Sequence, residues 1–343
     1  MTQLPDAIRQ LPHLRQLDLT GNHLTALPDW LGDLVYLERL FLDRNRLNAL
    51  PESIGSLTRL AALHADDNQL ATLPDALGSL PHLKRLQIMN NRLSSLPASL
   101  WRRPAIEALY IGGNPLATLP NAIGALTTLR ELYIHNSDLT TLPETLGDLA
   151  ALQTLDAGHN ALIALPDALG RLHNLTHFLY LSDNQLTDVP DSIGSLTHLR
   201  YLNLTDNQLT TLPDALGKLT RLRELRLYNN RLAALPDAIG HLTDLRELHL
   251  MNNRLTRLPE TLGDLHRLTH LDLRNNRLVA LPASLPQLQQ LTHLDLRNNR
   301  LLSLPASLAD LPQLRKLDLR WNKLRALPAW LGQLERRGCI VLM

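Results

Sequence analysis

Apolar residues in this chain follow a frame that changes period twice in every 23 residues. One copy runs through Leu245, Leu248, Leu250, Asn253, Leu255, Leu258, Pro259, Leu262, Gly263 and Leu265. In the first half the leucines alternate with polar residues, the period of a strand with one face buried. In the second half Pro fixes φ and Gly permits a tight bend, so the chain turns back through extended segments or brief helical turns. The Asn falls where the strand ends, and its amide is suited to satisfying backbone groups of the turn, within and between copies. It recurs at Asn22, Asn45, Asn68, Asn91 and Asn114, then at Asn160, and from Asn184 at the same step to Asn322. Fourteen frames in register specify a repeat architecture.

A single coil of this kind buries too little apolar surface to offset the entropy of ordering it. Stacking on neighbours buries both of its flat faces and pairs its strand on two sides. Strands at about 4.8 Å spacing then build a parallel sheet on the order of 65 Å long. The strand side is the more compact, so the sheet is expected on a concave face. Residues 1–13, with Leu4, Pro5, Ile8 and Leu11, read as a half-repeat cap, residues 14–336 as the fourteen repeats, and 337–343 as the strand of an incomplete fifteenth. In that last strand Ile340 and Leu342 are expected to point inward and Cys339 and Val341 outward. Such an edge would be continued or covered by further protein.

These frames resemble the leucine-rich-repeat family over the whole chain, in its 23-residue class with LPxxLGxL return segments. Similar patterns occur in bacterial type III effectors of plant pathogens, in Roco GTPases and in Ras-associated scaffold proteins. The resemblance implies an α/β solenoid: a right-handed, curved superhelix with a concave parallel β-sheet and a convex side of loops and short helical turns. It also implies a protein-binding role on the concave face. Three places depart from the pattern. Ser137 replaces a ladder Asn, one residue is inserted between Asn174 and Leu179, and Trp101-Arg102-Arg103-Pro104 puts Arg103 where a buried Leu belongs.

Composition narrows the function. Of 343 residues 44% are apolar but only 3% aromatic, so leucine fills the interior. With 34 Lys and Arg against 33 Asp and Glu the chain lacks the basic footprint of a nucleic-acid binder. No apolar run is long enough for a membrane span, and no signal-peptide layout opens the chain. The single cysteine, Cys339, allows no intrachain disulfide. A reducing cytosol is the expected compartment, either the cell's own or that of a host into which a bacterium delivers the protein. Thirty Arg against four Lys suggests a GC-rich bacterial genome.

Since the inward positions repeat, information lies in the outward ones. Seven of the eight Tyr and Phe residues fall there: Phe41, Tyr110, Tyr133, Phe178, Tyr180, Tyr201 and Tyr228. Six of them gather in the fifth to tenth repeats, where a scatter over all fourteen would follow from strand propensity alone. Tyrosines ordered at low entropy cost make binding hot spots. With Arg226, His249, Met251 and Trp321 they form the expected partner-binding set, rimmed by His135, His159, Asp183, Asp206, Asn229 and Asn252. The columns Asp272, Asp295, Asp318 and Arg274, Arg297, Arg320 read as self-neutralising ladders. No nucleophile elbow, phosphate loop or metal-ligand spacing is present, so neither catalysis nor a metal or cofactor is expected. The proximity of His135, Asp156 and His159 is the one weak exception. The expected function is a protein-interaction module, such as the targeting part of a type III effector; the alternative is the substrate-recruiting or regulatory arm of a larger enzyme.

Overall fold

The structure, a computed structural model, describes residues 1–102 and 105–343. Arg103, expected to intrude on a buried leucine position, lies outside the described residues together with Pro104. The chain divides into two compact units, Met1–Leu162 and Ile163–Met343.

In the first unit a cap turn, Asp6–Gln10, precedes β1 (Gln16–Asp18), β2 (Arg39–Phe41), β3 (Ala62–His64), β4 (Arg85–Gln87), β5 (Ala108–Tyr110), β6 (Glu131–Tyr133) and β7 (Thr154–Asp156). The second unit contains β8 (Phe178–Tyr180), β9 (Tyr201–Asn203), β10 (Glu224–Arg226), β11 (Glu247–His249), β12 (His270–Asp272), β13 (His293–Asp295), β14 (Lys316–Asp318), α1 (Leu331–Arg336) and β15 (Ile340–Leu342). Within each unit every strand pairs in parallel with the next, for example Gln16 with Arg39 and Glu224 with Glu247. The central residue of each strand from β1 to β14 is a leucine facing the core, as Leu17, Leu132, Leu202 and Leu271 are. Its two strand neighbours face away, so columns of outward side chains run across the coils at a step of 23.

Return segments are short 3-10 turns, opened by the proline carbonyl. Leu216 N–H donates to Pro213 O, and Leu219 N–H closes the turn on Leu216 O. Here the glycine has a purpose other than the bend expected of it. A Cβ on Gly217 would lie 2.4 Å from Ala238 O, and one on Gly170 would lie 2.5 Å from Ser192 O. Glycine therefore permits close approach of the next coil, which answers with a small residue such as Ser53, Ala76, Thr145, Ser192 or Ala215. Trp30 and Trp330 occupy that small-residue slot only where the preceding coil carries Arg9 or Ala309 in place of glycine. Their matched positions at the two ends thus follow from the coil-to-coil contact.

Buried asparagines join the coils on the strand side. Asn230 Nδ2 donates to Leu204 O and Leu227 O at 2.9 and 3.0 Å, and its Oδ1 accepts from Leu209 N–H at 3.0 Å. Ser137 cannot reach so far. Leu116 N–H, deprived of that acceptor, bonds to Asn114 O instead. The inserted residue of the eighth repeat appears as a bend at His177, immediately before β8.

The last strand corrects the expected facing. Val341 pairs with the core leucine Leu317, while Ile340 pairs with the outward Lys316 and Leu342 with Asp318. Ile340 is exposed and Cys339 is buried. Lys316 and Ile340 are 24 residues apart rather than 23, because the last return segment forms the six-residue helix α1 in place of a five-residue turn. That one residue flips the strand's facing.

Candidate partner-binding surface

In the second unit the outward columns bring Phe178, Tyr180 and Tyr201 into one cluster. Ring centroids lie 5.7 Å apart for Phe178–Tyr180 and Phe178–Tyr201, and 4.9 Å for Tyr180–Tyr201. Phe178 is exposed and the two tyrosines are half-buried. The Arg226 guanidinium lies 5.5 Å from the Tyr201 ring centre, over its electron-rich face, and its Nε donates to Glu224. Burial raises the Tyr201 phenol well above its ordinary range, so it stays a neutral donor at physiological pH. Tyr228 follows two residues beyond Arg226, half-buried.

Further along the same face, His249 Nε2 lies 3.2 Å from Glu247 Oε2 and 3.9 Å from Glu224 Oε1. The Met251 sulfur accepts from Arg274 Nη2 at 2.8 Å. His270 and His293 stack with centroids 4.4 Å apart. With His249, Asp272, Asp295 and Lys316 they line a cavity of about 170 Å³. The charged columns beside it are tied together more deeply than exposed ladders would be. Arg297 reaches Asp295 at 2.6 Å and Asp318 at 3.2 Å, and Arg320 reaches Asp318 at 2.7 Å. Asp318 is fully buried. Burial alone would raise its pKa, but bonds from Arg320 and the nearby guanidinium charges outweigh that and lower it.

In the first unit Tyr133 stacks on Tyr110 at 4.6 Å, and Phe41 meets His64 edge-on at 4.8 Å. Tyr110, expected among the exposed contacts, is buried. Its ring lies against Tyr133, and its hydroxyl donates to Glu131 while accepting from Arg85 at 2.7 Å. Burial first, then the Glu131 bond, push its pKa up to about 12. Tyr110 thus supports Tyr133 and offers little surface of its own. His135 and Asp156 approach to 3.2 Å, and the carboxylate raises the imidazole pKa.

Most of the expected rim shares one backbone conformation. His159, Asp183, Asp206, Asn229 and Asn252 all have φ between 51 and 57°, one residue before the ladder asparagine. His135 sits a position earlier. Asn and Asp tolerate the left-handed region, and their side chains form a second ladder, with Asn229 donating to Asp206 and Asn252 to Asn229. Trp321 occupies the same slot at φ 59° with 69% of its surface exposed, and Arg320 lies 5.4 Å from its ring centre. A bulky residue held there is strained.

Asp66, on the first unit's outward face, gives a pH-dependent expectation. Its Oδ1 accepts from Met89 N–H at 2.6 Å, yet burial dominates and raises its pKa to about 6. Its protonated form is therefore favoured by folding. That stability is fully present below pH 3.8 and is lost as pH rises through about 6. Asp66→Asn keeps the acceptor and removes the charge. After discounting for solvent screening, it should stabilise the protein by about 1 kcal/mol at pH 7.5 and by nothing near pH 3.5. Urea unfolding at the two pH values measures the difference.

The leucine-rich-repeat region model matches residues 3–101 and 189–271, and further leucine-rich-repeat models match 176–196 and 267–324. A leucine-rich-repeat protein of Leptospira interrogans is 33% identical over 100% of this chain and 93% of its own, with a TM-score of 0.91. The chain belongs to the leucine-rich-repeat family. An internalin of Listeria monocytogenes shares the fold at 21% identity, with a TM-score of 0.71, over 98% of this chain and 92% of its own. The plant peptide hormone receptor RGFR1, solved in complex with RGF2, is 25% identical with a TM-score of 0.61, over 99% of this chain and 72% of its own. No curated protein matches the sequence significantly. Leucine-rich-repeat folds are generally protein-interaction modules, and typically non-catalytic ones. Among the described residues no helix is long and apolar enough to cross a membrane.

Sequence reading missed Glu224 and Glu247 as partners of His249. The signal was available: Glu247 and His249 are two apart on one strand, and Glu224 precedes Glu247 by 23. In a solenoid those two steps define neighbours on one face.

Proposed function

We propose that this leucine-rich-repeat protein binds a protein or peptide partner on the outward sheet face of its second unit. The contacts in this reading are Phe178, Tyr180, Tyr201, Arg226, Tyr228, His249 and Met251, with Trp321 as a separate anchor. Phe41 and Tyr133 are contacts of the first unit. The observation that carries it is the joining of Phe178, Tyr180 and Tyr201 into one partly exposed aromatic cluster with Arg226 over Tyr201. Aromatic and arginine anchors of this kind, already held by neighbours, lose little entropy when a partner covers them. Further support comes from RGFR1, whose structure contains the peptide RGF2. The setting in this reading is a bacterial effector working in a host cytosol. It is supported by the balance of thirty Arg to four Lys and by likeness to a bacterial protein.

Capture from candidate host lysate, followed by affinity measurement with the captured protein, tests the proposal. Tyr180→Ala and Tyr201→Ala should each weaken binding by about 10- to 100-fold, or roughly 1–3 kcal/mol. Lys218→Ala, in a return segment, should leave affinity unchanged. Equal affinity in the folded tyrosine variants would place binding elsewhere.

A further inference from the structure

We propose that Glu224, Glu247 and His249 form a binding site for a divalent transition-metal ion, with Zn²⁺ the best match to the donor set. One ligand atom from each residue can be chosen so that all three lie within 4.8 Å of one another. The reason is the solenoid register. Glu224 on β10 pairs directly with Glu247 on β11, and His249 follows two residues along β11, so all three leave the same face of the sheet. Leu225 and Leu248, between them in sequence, point into the core and are fully buried, which fixes the backbone that carries the ligands.

The spacing suits an ion. Zinc takes nitrogen and carboxylate oxygen ligands at about 2.0–2.2 Å, which places two ligands of a tetrahedral site about 3.4 Å apart. His249 Nε2 is 3.2 Å from Glu247 Oε2 and 3.9 Å from Glu224 Oε1, so small side-chain rotations close the set. An imidazole with two carboxylates favours zinc and its neighbours over calcium or magnesium, which take more ligands and all of them oxygen. The two carboxylates offset most of the combined charge of the ion and Arg226.

Arg226 is the group that must be accommodated. Its Nε donates to Glu224 Oε1, leaving Oε2 free of that bond, and its guanidinium also rests over the Tyr201 ring. A ligating carboxylate is commonly oriented by such an outer hydrogen bond. Arg226 can therefore hold Glu224 in place while the ion takes the second lone pair of Oε1, the oxygen that faces His249. All three residues are partly exposed, so the ion would have access and a fourth position open to water or an incoming donor.

Calorimetric titration of the full chain with Zn²⁺, and the visible spectrum of the protein loaded with Co²⁺, test the site without any partner protein. The expected result is one strong site per chain with an intense tetrahedral-type Co²⁺ spectrum. His249→Ala and Glu224→Gln should each weaken Zn²⁺ binding more than about 10-fold, since losing a mere outer-sphere partner already costs that much. Both changes are at outward positions, and circular dichroism verifies that the fold persists. The double variant His270→Ala/His293→Ala removes the neighbouring stacked pair and should bind as the unmodified chain does. Absence of a strong site would overturn the proposal. So would binding that survives His249→Ala, or that disappears with His270 and His293. None of these outcomes bears on whether the aromatic cluster binds a protein.

Discussion

Asn230→Ala should destabilise the protein by about 2–3 kcal/mol. The Asn230 side chain is 7% exposed and links two coils. Alanine would leave Leu209 N–H without its acceptor in a buried seam, while Leu204 O and Leu227 O would each lose one of two donors and keep Asn207 and Asn253. An unsatisfied buried polar group costs about 1–3 kcal/mol, the weakened carbonyls add to that, and the amide can recover part by shifting. Ser137 shows that recovery, since Leu116 N–H has turned to Asn114 O. Urea unfolding followed by circular dichroism measures the loss. A change below about 1 kcal/mol would mean the seam is wet and the asparagine ladder is not what couples the coils.

Gly217→Ala is expected to cost about 2–3 kcal/mol, although alanine is ordinarily the better residue in a helical turn. The added Cβ would stand 2.4 Å from Ala238 O and 2.9 Å from Ala238 Cβ, so the coils would have to separate on the return side. Gly332→Ala supplies the contrast. Gly332 lies in α1, and a Cβ there would meet only Arg336 Nη1, at 3.6 Å. That substitution should be neutral or slightly stabilising by helix propensity. Thermal unfolding of the two variants side by side separates close approach from backbone freedom. Equal effects would contradict the packing account.

Much of this was legible in the sequence because the repeat leaves few choices. Asn at a step of 23, between alternating and non-alternating leucines, locates each strand, each turn and each inward face. What escaped depends on contacts between coils that a single frame does not contain. The glycine is read from one copy as a bend, and only the neighbouring Ser, Ala or Thr reveals it as a spacing device. Tyr110 occupies an outward position, but Arg85 and Glu131 on the flanking strands draw its hydroxyl down and Tyr133 covers its ring. Facing in the last strand is lost to the one residue that α1 adds. Glu224, Glu247 and His249 converge only when the 23-residue step is combined with the two-residue step along a strand. The aromatic cluster was legible as a column, while Arg226 over Tyr201 depends on the side-chain conformations of two neighbouring strands.

In the proposed function a protein partner is gripped on the sheet face of the second unit. Site-specific photo-crosslinking tests it most directly, with a photoreactive phenylalanine analogue placed at position 201 on the sheet face or at the exposed position 218 in a return segment. The account predicts a discrete adduct with the captured partner from position 201 and none from position 218. An adduct from 218 alone, with 201 silent and the protein folded, would contradict it.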